Sequence, residues 1–327
     1  MVKKKILITG GSGYIGSRLS LYLSQKGFYI IPLCNSRIPD NREWVQSMHL
    51  VLQGDLRDQV TLNKIEAVRP DAIIHLVSLD HNQSGINFQE TLQVNVQSTW
   101  ELLSLSASIG LEKFIYFSTT QVYGQTSESV VTENTKLQPS NAYGLTHMMS
   151  EDLVSMYSRL SKLVGISLRL SNSYGESLFE NEGSWSLVVN DLCRMAFFEK
   201  KIVLNSDGLA SKDFIHYSAI TNVVHQLLLL KEVNSGIYNL SSGNSITLLE
   251  LAFEVQKIYS ELYGIELNIY INKNQLIKTL DKTKYNNRIE NFNLMQMISY
   301  DSIPIQEGIK SLFNYLDSNL HRHYNQL

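Results

Sequence analysis

An α/β fold built on a doubly wound parallel sheet, with a smaller second lobe, is predicted by three observations. Apolar strand-like runs alternate with helical patterns through the first half of the chain, which is the signature of βαβ units. A turn carrying Gly10, Gly11, Gly13 and Gly16 separates the first apolar run from the first helical pattern. The 327 residues exceed one average domain of about 150, so a second body of structure is expected.

The elements follow in order. Residues 4–9 read as a buried strand, 14–25 as a helix, 28–33 and 49–52 as strands, and 60–68 as a helix. A strong strand at 72–77 precedes 88–109, a long stretch without Gly or Pro that reads as one helix. Strand 113–118, helix 143–162 and strand 166–170 complete the alternation. Right-handed crossovers place helices on both faces of such a sheet. Beyond Ser171 the pattern loosens: a polar loop at 176–184, an amphipathic helix at 186–199, and short strands at 202–204 and 214–216. Helix 219–230, strand 236–240, helix 248–262 and a closing helix 306–320 follow, while the Asn- and Lys-rich stretch 273–300 reads as irregular. The expected division is a first domain at 1–172, with 213–243 returning to it, and a lobe made of 173–212 and 244–327.

Composition narrows the class. With 43% hydrophobic residues and only 5 prolines, the chain can bury a core and is not a disordered polymer. A net charge of −3, with neither half strongly basic, argues against a phosphate-tracking nucleic-acid surface. No apolar run approaches the roughly 18 residues of a membrane span, and the short run before Gly10 suits a buried strand better than a signal peptide. Cys34 and Cys193 are too few and too distant for a disulfide framework or a zinc site. No metal is expected, and the protein reads as cytoplasmic.

Thr9, Gly10, Gly11, Ser12, Gly13, Tyr14, Ile15 and Gly16 follow a strand and open a helix, the context a dinucleotide fingerprint requires. Gly10 permits the tight turn, Gly13 lets backbone approach a pyrophosphate, and Gly16 lets helix and strand pack closely. The helix N-terminus, with Tyr14 and Ile15, offers N–H donors to the phosphates. The second strand ends in Asn35, Ser36 and Arg37, with no carboxylate at its tip to bind a ribose 2′-hydroxyl. Arg37 and Ser36 suit a 2′-phosphate, so NADP is preferred over NAD. Asp55, followed by Leu56, is placed to meet the adenine amino group or to cap the next helix.

Three further segments join this turn. Ser118, Thr119, Thr120, Gln121, Val122, Tyr123 and Gly124 follow a strand; Asn141, Ala142, Tyr143, Gly144, Leu145, Thr146 and His147 open a helix; Arg169, Leu170, Ser171, Asn172, Ser173, Tyr174 and Gly175 follow another strand. Together they resemble the extended short-chain dehydrogenase/reductase family, in its nucleotide-sugar epimerase, dehydratase and reductase branch. His75, Leu76, Val77 and Ser78 resemble the family's fourth-strand segment, and Asn95, Val96, Gln97, Ser98 and Thr99 its following helix. The resemblance implies a Rossmann domain, NAD(P), a nucleotide-sugar substrate and a homodimer. It implies cofactor contacts from Leu76, Val77, Ser78 and Asn95, a proton-transferring Tyr143, and Thr119 beside it on the substrate oxygen.

The family normally places a Lys four residues after this Tyr, to lower its pKa and hold the nicotinamide ribose. Here that residue is His147. Three readings stand open: a protonated His147 with an optimum at mildly acidic pH, an active site helped by the nicotinamide charge, or a dinucleotide-binding regulatory subunit without turnover. Dehydratases of the branch carry an Asp-Glu pair after the Thr; Thr120 and Gln121 do not titrate usefully, which disfavours dehydration. The expected activity is 4-keto reduction, with an NAD-dependent 4-epimerase as the alternative. The resemblance further implies that Thr120 and Gln121 face the sugar, that Asn172 meets substrate, and that Lys212 meets the diphosphate.

Overall fold

The computed structural model describes residues 3–179, 182–271, 275–277 and 287–323. Its centre is a seven-stranded sheet of parallel strands in the order Gly236–Leu240, Val164–Leu170, Lys113–Thr119, Ala72–His75, Lys5–Thr9, Tyr29–Cys34, Leu52–Gln53. Strands buried on both faces need apolar residues at odd and even positions alike, and these have them. Ile6, Ile8, Ile30, Ile74, Ile115 and Ile166 pack with Leu19, Leu23, Ile220, Val223 and Leu227, from helices Tyr14–Gln25 and Tyr217–Leu229. The alternate positions Leu7, Ile31, Ile73, Phe114 and Tyr116 pack with Leu62, Ile65, Leu102, Leu103 and Val154 on the opposite face. Chain order reverses between Lys5–Thr9 and Ala72–His75, and ligands bind at such a switch point beyond the carboxyl ends of the strands.

The second strand lies one residue later than expected, and the third is only Leu52–Gln53. Between them sits an unexpected helix, Arg42–Ser47, started by the Asn41 side chain accepting from the Trp44 N–H. Trp44 is buried and donates from Nε1 to the Ser17 carbonyl at 3.2 Å. The expected long helix is interrupted: Phe88–Thr91 passes through a π-helical turn, Leu92–Gln97, into helix Ser98–Ser108. Such turns re-aim a side chain within a helix, and here Asn95 is the buried residue of the turn.

Gly236–Leu240 returns to the large sheet as expected, pairing in parallel with Val164–Leu170. The expected return of 214–216 needs correction. That segment belongs to strand Ser211–His216, which pairs with Asn172–Tyr174 and Ser245–Thr247 in a separate three-stranded sheet. Helix Tyr217–Leu229 does pack on the large sheet. The other lobe has its own core of Val189, Leu192, Phe197, Leu251, Val255, Tyr259, Ile309 and Phe313, from helices Val188–Glu199, Leu248–Tyr263 and Ile305–His323. The stretch read as irregular, 273–300, lies partly outside the described residues; its described part includes strand Arg288–Ile289 and helix Phe292–Met295. Residues 182–184 of the expected loop belong to a 3₁₀ turn, Glu182–Ser186.

A buried ion pair braces the floor of the site. Arg169 donates to Glu151 at 2.7 Å, Ser118 Oγ donates to the same carboxylate at 2.5 Å, and Arg169 Nη1 reaches Tyr123 Oη at 3.0 Å. A buried pair with its remaining hydrogen bonds satisfied fixes geometry more than it adds stability. Here it joins helix Ala142–Leu160 to strands Lys113–Thr119 and Val164–Leu170.

Candidate active site

The glycine turn has the form the sequence predicts. Gly10 adopts φ +69°, where side chains are disfavoured. A Cβ on Gly16 would lie 2.1 Å from the Gly10 carbonyl oxygen, so helix and turn touch only because Gly16 has none. Gly11 adds a constraint not foreseen: its Cβ would meet that of Pro32 at 2.3 Å. Ser17 N–H donates to the Gly13 carbonyl at 2.9 Å. The N–H groups of Tyr14, Ile15 and Gly16 precede that bond at the helix start, facing where an anion would bind. The Tyr14 side chain turns away, its hydroxyl donating to the Gly175 carbonyl at 3.1 Å.

Asn35, Ser36 and Arg37 are exposed just past strand Tyr29–Cys34. Gln53 braces them by donating to the Ser36 carbonyl at 2.8 Å. Asp55 does not cap the following helix; Asp58 holds the N-cap position of Gln59–Val68. Asp55 instead accepts from the Arg57 backbone and guanidinium, with the closest approach 2.6 Å, and that pairing holds its carboxyl below the usual range. The Leu56 side chain is buried among Leu62 and Ile65, leaving only its backbone for a ligand.

Beyond Ala72–His75 the chain runs through Leu76, Val77 and Ser78 along the switch point, with Leu76 Cβ 3.4 Å from where a Gly10 Cβ would be. Asn95 stands behind this loop. It is buried, its Oδ1 accepts from Leu79 N–H at 2.8 Å, and its Nδ2 donates to Thr146 at 3.0 Å. Each end of its amide is bonded within the protein, and through them Asn95 positions the loop. His75, fully buried, completes the support. Thr99 spends its one hydroxyl proton on the Asn95 carbonyl at 2.7 Å, so His75 Nε2 donates to Thr99 at 2.9 Å. Nδ1 is then the acceptor for Thr9 at 2.7 Å, and burial pushes this imidazole down to about 3.

Tyr143 lies in the first turn of Ala142–Leu160, a helix started by Asn141 Oδ1 accepting from Gly144 N–H at 2.7 Å. Its hydroxyl is engaged by Thr119 and by Ser78, both of which lower its pKa, yet burial dominates and pushes it up to about 12. His147 stands one turn on, its ring 4.4 Å from that of Tyr143. It is 2% exposed, its Nδ1 is hydrogen-bonded to Tyr116 Oη at 2.7 Å, and burial pushes it down to about 3. Burial thus opposes the reading in which His147 is protonated at mildly acidic pH, since no anion among its neighbours offsets its desolvation. Its Nε2 is buried with no hydrogen-bond partner among the described residues. A ribose hydroxyl both donates and accepts and so completes either tautomer, which makes this orphaned nitrogen a fit for a nicotinamide ribose.

On the substrate side, Thr119 accepts from Gln121 N–H at 3.2 Å and starts the turn Thr120–Tyr123. Gln121 Oε1 accepts from Asn141 Nδ2 at 3.0 Å and meets His81 Nδ1 at 3.1 Å. Asn172 donates to the Asp213 carbonyl at 2.9 Å, and Lys212 is exposed on the adjoining strand. The structure thus gathers Ser78, Thr119, Gln121 and Tyr143 at the carboxyl ends of the central strands Ala72–His75 and Lys113–Thr119, while Asn172 and Lys212 belong to the small three-stranded sheet. Sequence reasoning overlooked Tyr116, which holds His147. Asn141, a capping residue just before a helical pattern, was the legible sign that this corner is rigid. Among the described residues no group of His, Cys, Asp or Glu is arranged to hold a metal, and no helix is long and apolar enough to cross a membrane.

Fold and site together define an α/β protein on the dinucleotide-binding plan, with a Tyr–Thr pair at its switch point. The chain belongs to the NAD-dependent epimerase/dehydratase family, whose model matches residues 6–241. It is 27% identical over 332 residues to the dTDP-D-glucose 4,6-dehydratase of Bos taurus, covering 97% of this chain and 90% of the relative. It is 28% identical to the UDP-glucose 4-epimerase of Rhizobium leguminosarum bv. trifolii, covering 81% and 85%. In three dimensions it matches the UDP-glucose 4-epimerase of Thermotoga maritima with a TM-score of 0.81 at 21% identity, covering 97% of this chain and 99% of that one. The UDP-glucuronic acid 4-epimerase of Bacillus cereus, solved with UDP-glucuronic acid and NAD, matches with a TM-score of 0.79 at 20% identity, covering 96% and 99%.

Proposed function

We propose that this protein is a nucleotide-sugar oxidoreductase that reduces a 4-keto sugar, with Tyr143 as proton donor and NADPH as the preferred hydride source. The observation that carries the reading is the protonation of the site. Burial holds Tyr143 up to about 12, and the buried imidazole one turn on brings no fixed positive charge, so at neutral pH the hydroxyl beside Thr119 rests protonated, the state that a proton donor to a carbonyl oxygen needs. When bound, the dinucleotide supplies the hydride. Gly10, Gly13 and the N–H groups of Tyr14, Ile15 and Gly16 would hold its pyrophosphate. Asn35, Ser36 and Arg37 would hold the adenosine end, and His147 Nε2 the nicotinamide ribose. Thr119 and Tyr143 would hold the carbonyl oxygen, where a hydroxyl pair steadies developing negative charge. Thr120 and Gln121 would face the sugar, and Asn172 and Lys212 the diphosphate.

A second reading, an NAD-dependent 4-epimerase, is favoured by the named epimerases among the relatives. Steady-state turnover on a panel of 4-keto nucleotide sugars, with NADPH and with NADH, separates the two. Reduction at the expense of NADPH is expected. Tightly retained NAD with interconversion of sugar epimers would favour the second reading, and binding without turnover would favour a regulatory subunit. In the same assay Arg37→Asp should shift the NADPH/NADH preference toward NADH by roughly tenfold or more, because a carboxylate repels the 2′-phosphate that Arg37 attracts. An unchanged ratio would remove Arg37 from the cofactor site.

We also read the protein as a cytoplasmic homodimer. Trp100 is 47% exposed and packs edge-on to Tyr157 at 5.8 Å, beside a groove lined by Leu92, Val96 and Leu153. Analytical ultracentrifugation should find a dimer, and Trp100→Glu should shift it to monomer. A monomeric wild type at micromolar concentration would sink the idea.

A further inference from the structure

We propose that His81 is a second catalytic residue of this site, a base that takes a proton from the carbon next to the substrate carbonyl. The inference rests on the 4-keto sugar reading above and extends it to a further activity, enolisation.

The argument starts from a hydrogen-bond chain that leaves one choice of tautomer. Asn141 Oδ1 is occupied by the Gly144 N–H of the helix start, so Asn141 Nδ2 is the group that faces Gln121. That nitrogen donates at 3.0 Å, so the Gln121 atom it meets is the carbonyl oxygen Oε1. The same oxygen lies 3.1 Å from His81 Nδ1. An amide oxygen only accepts, so His81 Nδ1 carries a proton, and in the neutral ring the lone pair is at Nε2. A base oriented through its other nitrogen by a third side chain is the recurrent arrangement of catalytic imidazoles.

The ring is also held in place. His81 opens the short helix His81–Ser84, capped by Asp80 accepting from Gln83 N–H at 2.8 Å, while Gln83 Oε1 accepts from Asp80 N–H at 3.3 Å. Leu79, two residues earlier, is tied to the buried Asn95. His81 itself is exposed, with its ring 6.4 Å from that of Tyr143 and edge-on to it. A mobile surface histidine would not have three successive anchors behind it.

Carbonyl reduction needs one proton donor, and Tyr143 serves it. A second titratable group beside Tyr143, presenting a lone pair, has a different task. The carbon beside a ketone is acidic when its oxygen is hydrogen-bonded, as Thr119 and Tyr143 would bond it. His81 Nε2 takes the proton, the C–H electron pair becomes the carbon–carbon double bond, and the carbonyl electron pair moves onto the oxygen held by Tyr143 and Thr119. Return of the proton restores the ketone. No oxidant or reductant is consumed. At Thr120 and Gln121, where related dehydratases carry carboxylates, this chain has none, and Gln121 instead orients the imidazole.

The test is deuterium exchange. The protein is incubated in D2O with dTDP-4-keto-6-deoxyglucose and no added reduced cofactor, and loss of the ring C–H signals beside the ketone is followed by NMR. NADPH-dependent reduction of the same sugar is measured in parallel. Exchange above the protein-free rate is expected, falling at least about 30-fold in His81→Gln. Gln121→Leu, which removes the acceptor that orients the ring, should lose exchange by about tenfold. Thermal unfolding of each variant checks that it is folded. Reduction without exchange, or exchange undiminished in His81→Gln, overturns the role of His81 and leaves the reductase reading intact. Exchange without reduction supports His81 and overturns the reductase reading, and absence of both overturns both.

Discussion

Replacing Tyr143 with Phe is expected to lower carbonyl reduction by about 10²–10⁴-fold, the usual contribution of a positioned proton donor. The substitution keeps the ring that packs 4.4 Å from His147 and removes only the hydroxyl engaged by Thr119 and Ser78. Turnover within tenfold of wild type would show that the proton comes from elsewhere. The pH profile gives an independent check. Tyr143, pushed up to about 12, stays protonated through neutral pH, and His147, pushed down to about 3, stays neutral. Reduction should therefore be nearly flat between about pH 6 and about pH 9. A rate climbing steadily toward pH 6 in wild type and in His81→Gln alike would mean that His147 is charged in the working enzyme, contrary to its burial.

The second large effect is on stability. His75 and His147 are both buried neutral and both pushed down to about 3, whereas an unfolded imidazole titrates near 6.5. Below about pH 6.5 the unfolded chain binds protons that the folded chain excludes, so stability present at neutral pH is lost as pH falls toward about 3. Each group contributes roughly 1.4 kcal/mol per pH unit in that window, and the pair should remove about 2–4 kcal/mol between pH 7 and pH 5. Glu176, depressed to about 2, adds its own loss only below about pH 4.5. Urea unfolding at the two pH values measures the drop, and His147→Gln should roughly halve it. Equal stabilities at pH 7 and pH 5 would show that one or both rings are hydrated or paired.

The sheet was legible because its strands declare themselves locally. Lys5–Thr9, Lys113–Thr119 and Gly236–Leu240 are apolar runs bounded by turn residues, and helix Tyr14–Gln25 begins where the glycines stop. Asn172–Tyr174, Ser211–His216 and Ser245–Thr247 were not all legible, because three- to six-residue strands are recruited by their partners rather than by any periodicity. The π-helical turn was invisible for the same reason: Asn95 turns inward to satisfy Leu79 N–H, a need that exists only once the loop is in place. In the site, Gly10, Gly16, Thr119 and Tyr143 could be read from motif spacing. The charge state of His147 could not, since the residue type is the same whether exposed or buried, and only its 2% exposure and its contact with Tyr116 decide it. The orientation of the His81 ring could not be read either, because it depends on Gln121 and Asn141, residues of two other segments.

The pairing of Gly236–Leu240 with Val164–Leu170 also has a consequence during synthesis. When Leu170 leaves the ribosome, its strand has one neighbour, and the edge that faces outward carries unpaired N–H and C=O groups. The strand that covers it arrives about 70 residues later, which at about 5–20 residues per second is about 4–14 s. Through that interval the nascent chain presents an open β edge, the feature that most readily recruits a second chain. The large sheet is thus finished by the last of its strands to be made, and a chain that stops before Gly236 leaves that edge uncovered.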